Sequence, residues 1–240
     1  GASAGAGFGA CLAMVMELPT VYVQMFSFCG GILAVFIAAT ATRRFSMDPI
    51  LGLVLGGMMV STLFQSGTST IKILADADNK LPQITFWLMG SFNVMNKAKL
   101  FSILIPIGAG FLILFLVRWQ LNVLSFGEDE ASSLGIKTKR IRSMVIIAST
   151  LITASCVSVC GMVGWVGLVI PHAGRALAGP DYRRLLPVCA ILGSTFLLLV
   201  DDVARTAFMV ELPIGILTSF IGVPFFMFIF KSGVNKGGSA

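Results

Sequence analysis

Long apolar runs separated by clusters of charge most constrain what this chain can fold into. Six runs of 18 residues or more carry at most two charged side chains each: 21–41, 50–70, 100–117, 144–163, 185–204 and 212–230. A helix needs about 20 mostly apolar residues to cross the hydrocarbon core of a bilayer. The runs therefore predict an all-α fold, a polytopic bundle of membrane helices.

The composition supports this class. The chain of 240 residues is 56% hydrophobic and 12% charged, with a mean hydropathy of +0.93, whereas about a quarter of the residues of a soluble domain are charged. Two shorter apolar segments, 1–16 and 163–177, bring the expected number of transmembrane helices to about eight. The whole chain, 1–240, is expected to form a single transmembrane domain.

The positive charges predict the orientation of the bundle. If all eight segments cross, twelve of the 17 Lys and Arg residues fall on one side and five on the other. The larger set marks the cytoplasmic side, because loops rich in Lys and Arg stay inside. If 163–177 did not cross, the split would be eight against nine, so the eight-span topology is preferred. The net charge of +6 then reports orientation and gives no reason to expect a nucleic-acid partner.

Two connections are long enough to carry structure of their own. Residues 71–99 lie outside in this topology and include an amphipathic piece with Phe86 and Trp87, typical of a helix at the membrane interface. Residues 119–142 form a cytoplasmic loop in which three acidic residues precede 131–134 and then Gly135. Acidic residues in a first turn and a glycine stop predict a short helix. Such a helix offers a surface to a soluble partner, and a plain solvated loop is the alternative.

The sequence holds few candidates for chemistry. It contains no G-x-x-x-x-G-K-[ST] motif for phosphates and no zinc-protease or nucleophile-elbow motif. Its five cysteines lie in apolar runs without metal-ligand spacing, so we expect no metal site. His172 is the single histidine, follows Pro171, and is predicted to be structural; an intramembrane enzyme or scaffold centred on His172 is one rival reading.

Small residues recur within the spans. Gly52 and Gly56 form a small-xxx-small pattern, which lets two membrane helices approach closely. The pattern predicts helix packing, although a pore lined by small side chains would look similar.

Acidic residues near the end of the apolar run 185–204 suggest a second rival reading. Asp201 and Asp202 stand three to four residues before Arg205, and acids within membrane segments are often functional because their burial is costly. An ion-coupled secondary transporter could use them. The same spacing allows local pairing with Arg205 on one helix face, which predicts an arginine anchored by acids at the external surface.

Several stretches together resemble one family. They are "WLMGSF" (87–92), "LNVLSFGEDEASSLG" (121–135), "GMVGWVGLVIPHAGRALAGPDYRRLLP" (161–187), "VDDVART" (200–206) and "ELPIGILTSFIGVPFF" (211–226). In order and spacing they are similar to the FecCD-type permeases of ABC importers, which move ferric siderophores, haem, cobalamin and, in some members, molybdate or tungstate. "GASAGAGFGA" resembles the start of the third of the family's ten helices, so the first two helices are expected to be lacking.

The resemblance implies roles for particular residues. The "FGEDEASSLG" loop matches the segment that sits in a cleft of each ATPase and transmits its motion, with the matching positions Gly127, Glu128, Ala131, Leu134 and Gly135. Arg205 matches the external arginine that meets an acidic residue of the binding protein, and Asp201 keeps its spacing. Asp202 stands where many members carry an apolar residue. Pro171, His172 and Arg175 belong to the structural signature, and Ser46 and Met47 are the candidates for the inner gate.

The resemblance also implies partners and a mechanism. The expected partners are a dimer of cytoplasmic ABC ATPases, an external substrate-binding protein, a second permease subunit, identical or related, and the lipid bilayer. ATP and Mg²⁺ are expected on the ATPase, so this chain is expected to be neither an enzyme nor the holder of a cofactor. It is expected to open alternately to the two sides of the cytoplasmic, or inner, membrane of a bacterium or archaeon as a multi-pass permease for a metal chelate or an oxyanion.

Overall fold

A computed structural model describes residues 1–44, 49–93, 95–207 and 211–237. Within these ranges the secondary structure is entirely helical, which confirms the all-α prediction. Ten helices follow one another along the described chain: α1 (Ala2–Val15), α2 (Thr20–Arg44), α3 (Pro49–Leu74), α4 (Lys80–Met89), α5 (Lys97–Leu124), α6 (Glu128–Ser133), α7 (Thr138–Cys160), α8 (Val166–Ala178), α9 (Tyr182–Thr206) and α10 (Ile214–Gly237).

Eight of these helices coincide with the eight predicted apolar segments. Among the described residues, α2, α3, α5, α7 and α9 are long and apolar enough to cross a membrane. By contrast, α1 and α8 have 14 and 13 residues, which at 1.5 Å per residue is about 20 Å, shorter than a hydrocarbon core. The other two helices, α4 and α6, are the short helices predicted in the two long connections.

The connection between α5 and α7, predicted to lie on the cytoplasmic side, is shorter than predicted. Helix α5 continues to Leu124 and α7 begins at Thr138, so much of the predicted loop 119–142 is helical. The prediction of a loop from residue 119 was wrong because it stopped the helix at Arg118, the first charge after the apolar run. A charged residue ends the hydropathy signal without ending the helix.

The described chain divides into two compact units. The first comprises Gly1–Leu88, Asn93–Leu114 and Arg142–Met162, and the second comprises Met89–Phe92, Phe115–Ile141 and Val163–Ala240. The prediction of a single permease domain over 1–240 stays a prediction.

In the first unit, α1 and α2 meet backbone to backbone. A Cβ atom on Gly5 would collide with the carbonyl oxygen of Gly30, and one on Gly9 with the carbonyl oxygen of Phe26. Neither position therefore tolerates any side chain, and the glycine-rich start of the chain is explained by helix contact of the small-residue kind. Ala6, Ala10 and Cys11 of the same helix are fully buried.

Helix α3 packs on α2 through the predicted small-residue pattern. The Thr42 hydroxyl donates to the carbonyl of Gly52 at 2.9 Å, and a Cβ on Gly56 would lie 2.9 Å from that hydroxyl oxygen and 3.2 Å from the carbonyl oxygen of Ala38. The packing role predicted for Gly52 and Gly56 is therefore confirmed.

Helix α4 lies against α1 in the same unit. Ile84 is fully buried, Trp87 and Leu88 pack on the cluster that contains it, and Phe86 is exposed. An ion pair of 3.1 Å between Lys80 and Glu17 joins the start of α4 to the turn after α1. The predicted amphipathic helix is present, although only Phe86 of the two aromatic residues faces outward.

In the second unit, glycines bring α8, α9 and α10 together. A Cβ on Gly174 of α8 would lie 2.6 Å from the Cys189 sulfur of α9, and one on Gly222 of α10 would lie 2.5 Å from the Trp165 Cβ. The N–H of Ile214 donates to the carbonyl of Gly90 at 3.0 Å. This bond fixes the start of α10 to the "WLMGSF" stretch.

Candidate functional site

The segment between α5 and α7 has a defined geometry around the short helix α6. Gly127 precedes the helix with φ of 128° and ψ of 161°, and a Cβ there would strike the carboxylate of Glu130, which folds back over it. Acidic residues fill the first turn of α6, Glu128, Asp129 and Glu130. Negative charge in a first turn is stabilising because the free backbone N–H groups there carry partial positive charge.

The C-terminal end of α6 closes on Gly135. Its φ is +78°, its N–H donates to the carbonyl of Ser132 at 2.9 Å, and the N–H of Ile136 donates to the carbonyl of Ala131 at 3.0 Å. This pair of bonds is the Schellman motif, which places a residue in left-handed conformation after the helix and favours glycine there. The predicted glycine stop is confirmed.

The predicted coupling residues differ in their exposure. Ala131 is fully buried, so it holds α6 within its unit, whereas Leu134 is 69% exposed. Phe126, 78% exposed, stands on the other flank of the acidic turn and was not predicted. Phe126 and Leu134 are thus exposed apolar side chains before and after the acidic turn. The sequence alone could have indicated that Phe126 is exposed. It is a large apolar residue that lies directly before Gly127 and outside every predicted membrane span.

A polar contact that no sequence pattern indicates joins the end of α5 to the start of α9. The Asn122 amide donates to the Asp181 carboxylate at 2.5 Å, and its oxygen accepts the N–H of Tyr182 at 2.8 Å. The same carboxylate accepts the N–H of Arg183 at 2.9 Å and caps α9. The Arg183 backbone N–H, followed by the Asn122 amide, holds the pKa of Asp181 below its ordinary value.

Arg205 lies at the opposite end of α9. Its Nε donates to the Asp201 carboxylate at 2.9 Å, one helical turn earlier, and the side chains are 39% and 19% exposed. The local pairing expected from the sequence is present. Asp202 is exposed, and its backbone carbonyl accepts the Thr206 hydroxyl at 2.6 Å. The pair leaves the guanidinium partly open for a partner outside the chain.

His172 lies in the middle of α8, one residue after Pro171. Its Nδ1 is 2.9 Å from the carbonyl oxygen of Leu168, to which it donates when that nitrogen carries the proton. A bond to the carbonyl four residues earlier is a local helix contact. Arg175 follows in the last turn, and its carbonyl accepts the N–H of Gly179, which ends the helix.

The remaining candidates are possible metal ligands, the cysteines and the predicted gate. Within the described ranges, no group of three or more His, Cys, Asp or Glu side chains could hold a metal ion. The Cys160 thiol donates to the carbonyl of Cys156 at 2.9 Å within α7. Ser46 and Met47, the predicted gate, lie outside the described residues.

These features define a class: a multi-pass α-helical membrane protein that carries a short acidic helix between two of its spans. The sequence model of the FecCD transport family matches residues 1–232. The chain belongs to this family, and the predicted resemblance is confirmed.

Relatives place the family among importers. The molybdate import system permease protein of Haemophilus influenzae is 39% identical over 241 residues, which cover 99% of this chain and 70% of the relative. The hemin transport system permease protein of Yersinia pestis is 31% identical over 238 residues, 95% of this chain and 70% of the relative. A solved ABC transporter of metal-chelate type, in an inward-facing conformation, has a TM-score of 0.89 and 38% identity, covering 96% of this chain and 74% of its own. Both relatives are named as permease proteins of import or transport systems, and the solved structure is an ABC transporter.

Proposed function

We propose that this chain is the permease subunit of an ATP-driven, binding-protein-dependent importer in a bacterial or archaeal cytoplasmic membrane. The observation that carries the proposal is the capped helix α6 with its exposed flanks, Phe126 and Leu134, in a chain of the FecCD family. A six-residue helix fixed at both ends presents its surface in one orientation, as a contact that transmits motion requires.

The proposed partners divide the work between both sides of the membrane. A pair of ABC ATPases binds α6 from the cytoplasm, holds ATP and Mg²⁺, and performs the hydrolysis. A substrate-binding protein docks outside, where Arg205 meets an acidic residue, and a second permease subunit completes the pathway. Nucleotide binding then shifts the population between outward-open and inward-open states.

The proposed cargo is a metal chelate, such as a ferric siderophore, haem or cobalamin, or an oxyanion such as molybdate. The proposal follows the substrates named for the relatives, molybdate and hemin. Ser46 and Met47 stay the predicted inner gate.

The decisive experiment is copurification followed by reconstituted uptake. The chain is expressed with its ATPase and binding protein, purified through a tag on the permease, and placed in liposomes. ATP enclosed on the ATPase side should drive uptake, and an ionophore that collapses the proton gradient should leave it unchanged.

The same preparation separates the rival functions. Uptake that ignores ATP and collapses with the proton gradient, and that is lost in Asp201→Asn, would replace the importer with an ion-coupled transporter. Activity lost in His172→Ala, with no ATPase bound at any stage, would point to the membrane enzyme instead. Asp202→Asn is tested beside Asp201→Asn, because the ion-coupled reading allows either carboxylate to carry the ion, and the same loss in that variant would count for the same rival.

A further inference from the structure

The contact between Asn122 and α9 joins two helix ends that are far apart in sequence. Asn122 uses both halves of its amide: one donates to Asp181, 59 residues away, and the other accepts from the backbone of Tyr182. A side chain that donates and accepts across one contact fixes the orientation of both partners, because neither bond survives a rotation of the amide.

Asn122 stands in the last turn of α5, directly before the helix that faces the ATPase in the proposed function. Only three residues, 125–127, separate α5 from α6, and their N–H groups are bonded back to the end of α5: Gly127 to Leu124 at 3.2 Å and Phe126 to Val123 at 3.2 Å. The N–H of Ala131 donates to the carbonyl of Gly127 at 3.2 Å. Backbone hydrogen bonds thus run without a free linker from α6 to the turn that holds Asn122.

Helix α9 connects Asp181, at its N-terminal end, with Arg205 in its last turn. It is one helix from Tyr182 to Thr206, with Pro187 inside it, and its 25 residues span about 37 Å at 1.5 Å per residue. Its last turns hold the pair Asp201 and Arg205, and the buried Val200 and Ala204 fix those turns in the unit. A displacement of Asp181 is therefore applied to the same helix that presents Arg205.

We propose that the hydrogen bonds of Asn122 with Asp181 and Tyr182 couple α6 to α9, so that the ATPase and the docked binding protein act on opposite ends of one helix. Asn122 is a positioning residue. The proposal rests on the proposed function and adds the connection within this chain through which the two partners influence one another. By reciprocity, docking at Arg205 changes the free energy of ATPase binding to α6 by the same amount as ATPase binding changes the free energy of docking.

A plain structural role for this contact would affect assembly and leave the communication between partners intact. The informative measurement is therefore a ratio: ATPase activity with saturating binding protein divided by activity without it, in the reconstituted complex. A loss of folded complex lowers both activities equally, whereas a loss of coupling lowers the ratio.

Asn122→Asp is the strongest variant, because it sets one carboxylate against another across a contact of 2.5 Å. The ratio should fall towards 1, the value for an ATPase whose activity no longer responds to the binding protein. Asp181→Asn should stay near wild type, since an amide oxygen can accept both bonds and asparagine is also a good N-cap. Asn122→Asp combined with Asp181→Asn should recover much of the ratio, because an amide donor again faces a carboxylate.

Ser194→Ala is the matched control, since the Ser194 hydroxyl donates only within α9, to the carbonyl of Ile191, and its ratio should not change. If Asn122→Asp fails to assemble, Asn122→Leu removes both bonds without repulsion and should show the same fall. A wild-type ratio in the assembled Asn122 variants, or no recovery in the double variant, overturns the proposal. A wild-type complex whose ATPase ignores the binding protein contradicts the proposed function instead.

Discussion

The helix pair α1 and α2 is held by close glycine contacts over several turns, whereas α9 has one close glycine contact, Gly174 of α8 with Cys189, and polar contacts at its two ends. In the pair, Gly5, Gly9 and Gly30 bring backbone against backbone over several turns. Along α9, only Leu185, Val200 and Ala204 are buried, and polar contacts are concentrated at the two ends, Asn122 with Asp181 and Asp201 with Arg205.

The difference indicates which parts of the chain are built to stay fixed. Contacts between backbones lose their dispersion energy as soon as the helices separate, and no alternative arrangement replaces them. A hydrogen bond at a helix end can follow a small displacement of that helix. The glycine pair is therefore expected to be the static part, and α9 the part that responds to partners.

The largest expected effect is a break in the static part. Gly9→Ala places a methyl group on the carbonyl of Phe26, so α1 must move away from α2 along its whole length. Overpacking typically costs about 1–3 kcal/mol, and a collision with backbone places this variant at the upper end, a large fraction of the stability of an ordinary protein. Fluorescence-detected size exclusion of a tagged protein in mild detergent should show loss of the monodisperse peak.

Gly108→Ala is the control for that substitution. It is also a glycine within an apolar helix, and a Cβ there has no neighbour within 4 Å among the described residues. Alanine favours helix over glycine by about 0.5–1 kcal/mol, so the control should be as stable as wild type or slightly more so. Equal elution profiles for the two variants would show that α1 and α2 do not depend on backbone contact.

The second prediction concerns the end of α6. Gly135→Val forces a β-branched residue to a φ of +78°, at a cost of about 1–2 kcal/mol, which opens the end of the short helix. The folded permease should remain, and its copurification with the ATPase should fall. Gly135→Asn should retain most of the partner, because asparagine tolerates this conformation; similar losses for Val and Asn would place the effect elsewhere than in backbone conformation.

Much of this architecture was predictable, because membrane spans and helix ends carry local signals. Apolar length and charge sorting predicted the positions of the eight main helices, the acidic triplet with Gly135 predicted α6, and the spacing of Asp201 and Arg205 predicted their ion pair. Each of these patterns is local: it lies within about one helical turn of the feature that it predicts, or it is the hydropathy of a single segment.

The parts that escaped prediction depend on residues distant in sequence. Nothing near Asn122 indicates that its partner is Asp181, since both are ordinary residues of a helix end and a cap. The partners of Gly5 and Gly9 likewise lie on another helix, so the pattern predicts close packing without naming Gly30 or Phe26. The extension of α5 to Leu124 was missed because hydropathy ends at Arg118, whereas backbone hydrogen bonding does not.

The third prediction tests the responsive part at its exposed end. Arg205→Glu places a second carboxylate beside Asp201 and repels an acidic partner, so binding-protein docking should weaken about tenfold at low salt, equivalent to about 1.4 kcal/mol. Surface plasmon resonance with the reconstituted permease complex measures this directly. Asp202→Asn should dock as wild type does, and unchanged docking of the Arg205 variant would remove Arg205 from the docking surface.

The smallest expected effect concerns pH at the other end of α9. The Arg183 backbone N–H and then the Asn122 amide lower the pKa of Asp181, so its contribution to stability is complete above the unfolded value of about 4. It is lost only as the pH falls through the lower, folded pKa. The difference in thermal unfolding temperature between wild type and Asp181→Asn should therefore be constant from about pH 8 to 5 and change only near pH 4 and below. A temperature difference that already varies between pH 7 and 5 would mean that these bonds do not hold Asp181 ionised. The contact at this end of α9 would then respond to its surroundings as readily as the exposed ion pair of Asp201 and Arg205 at the other end.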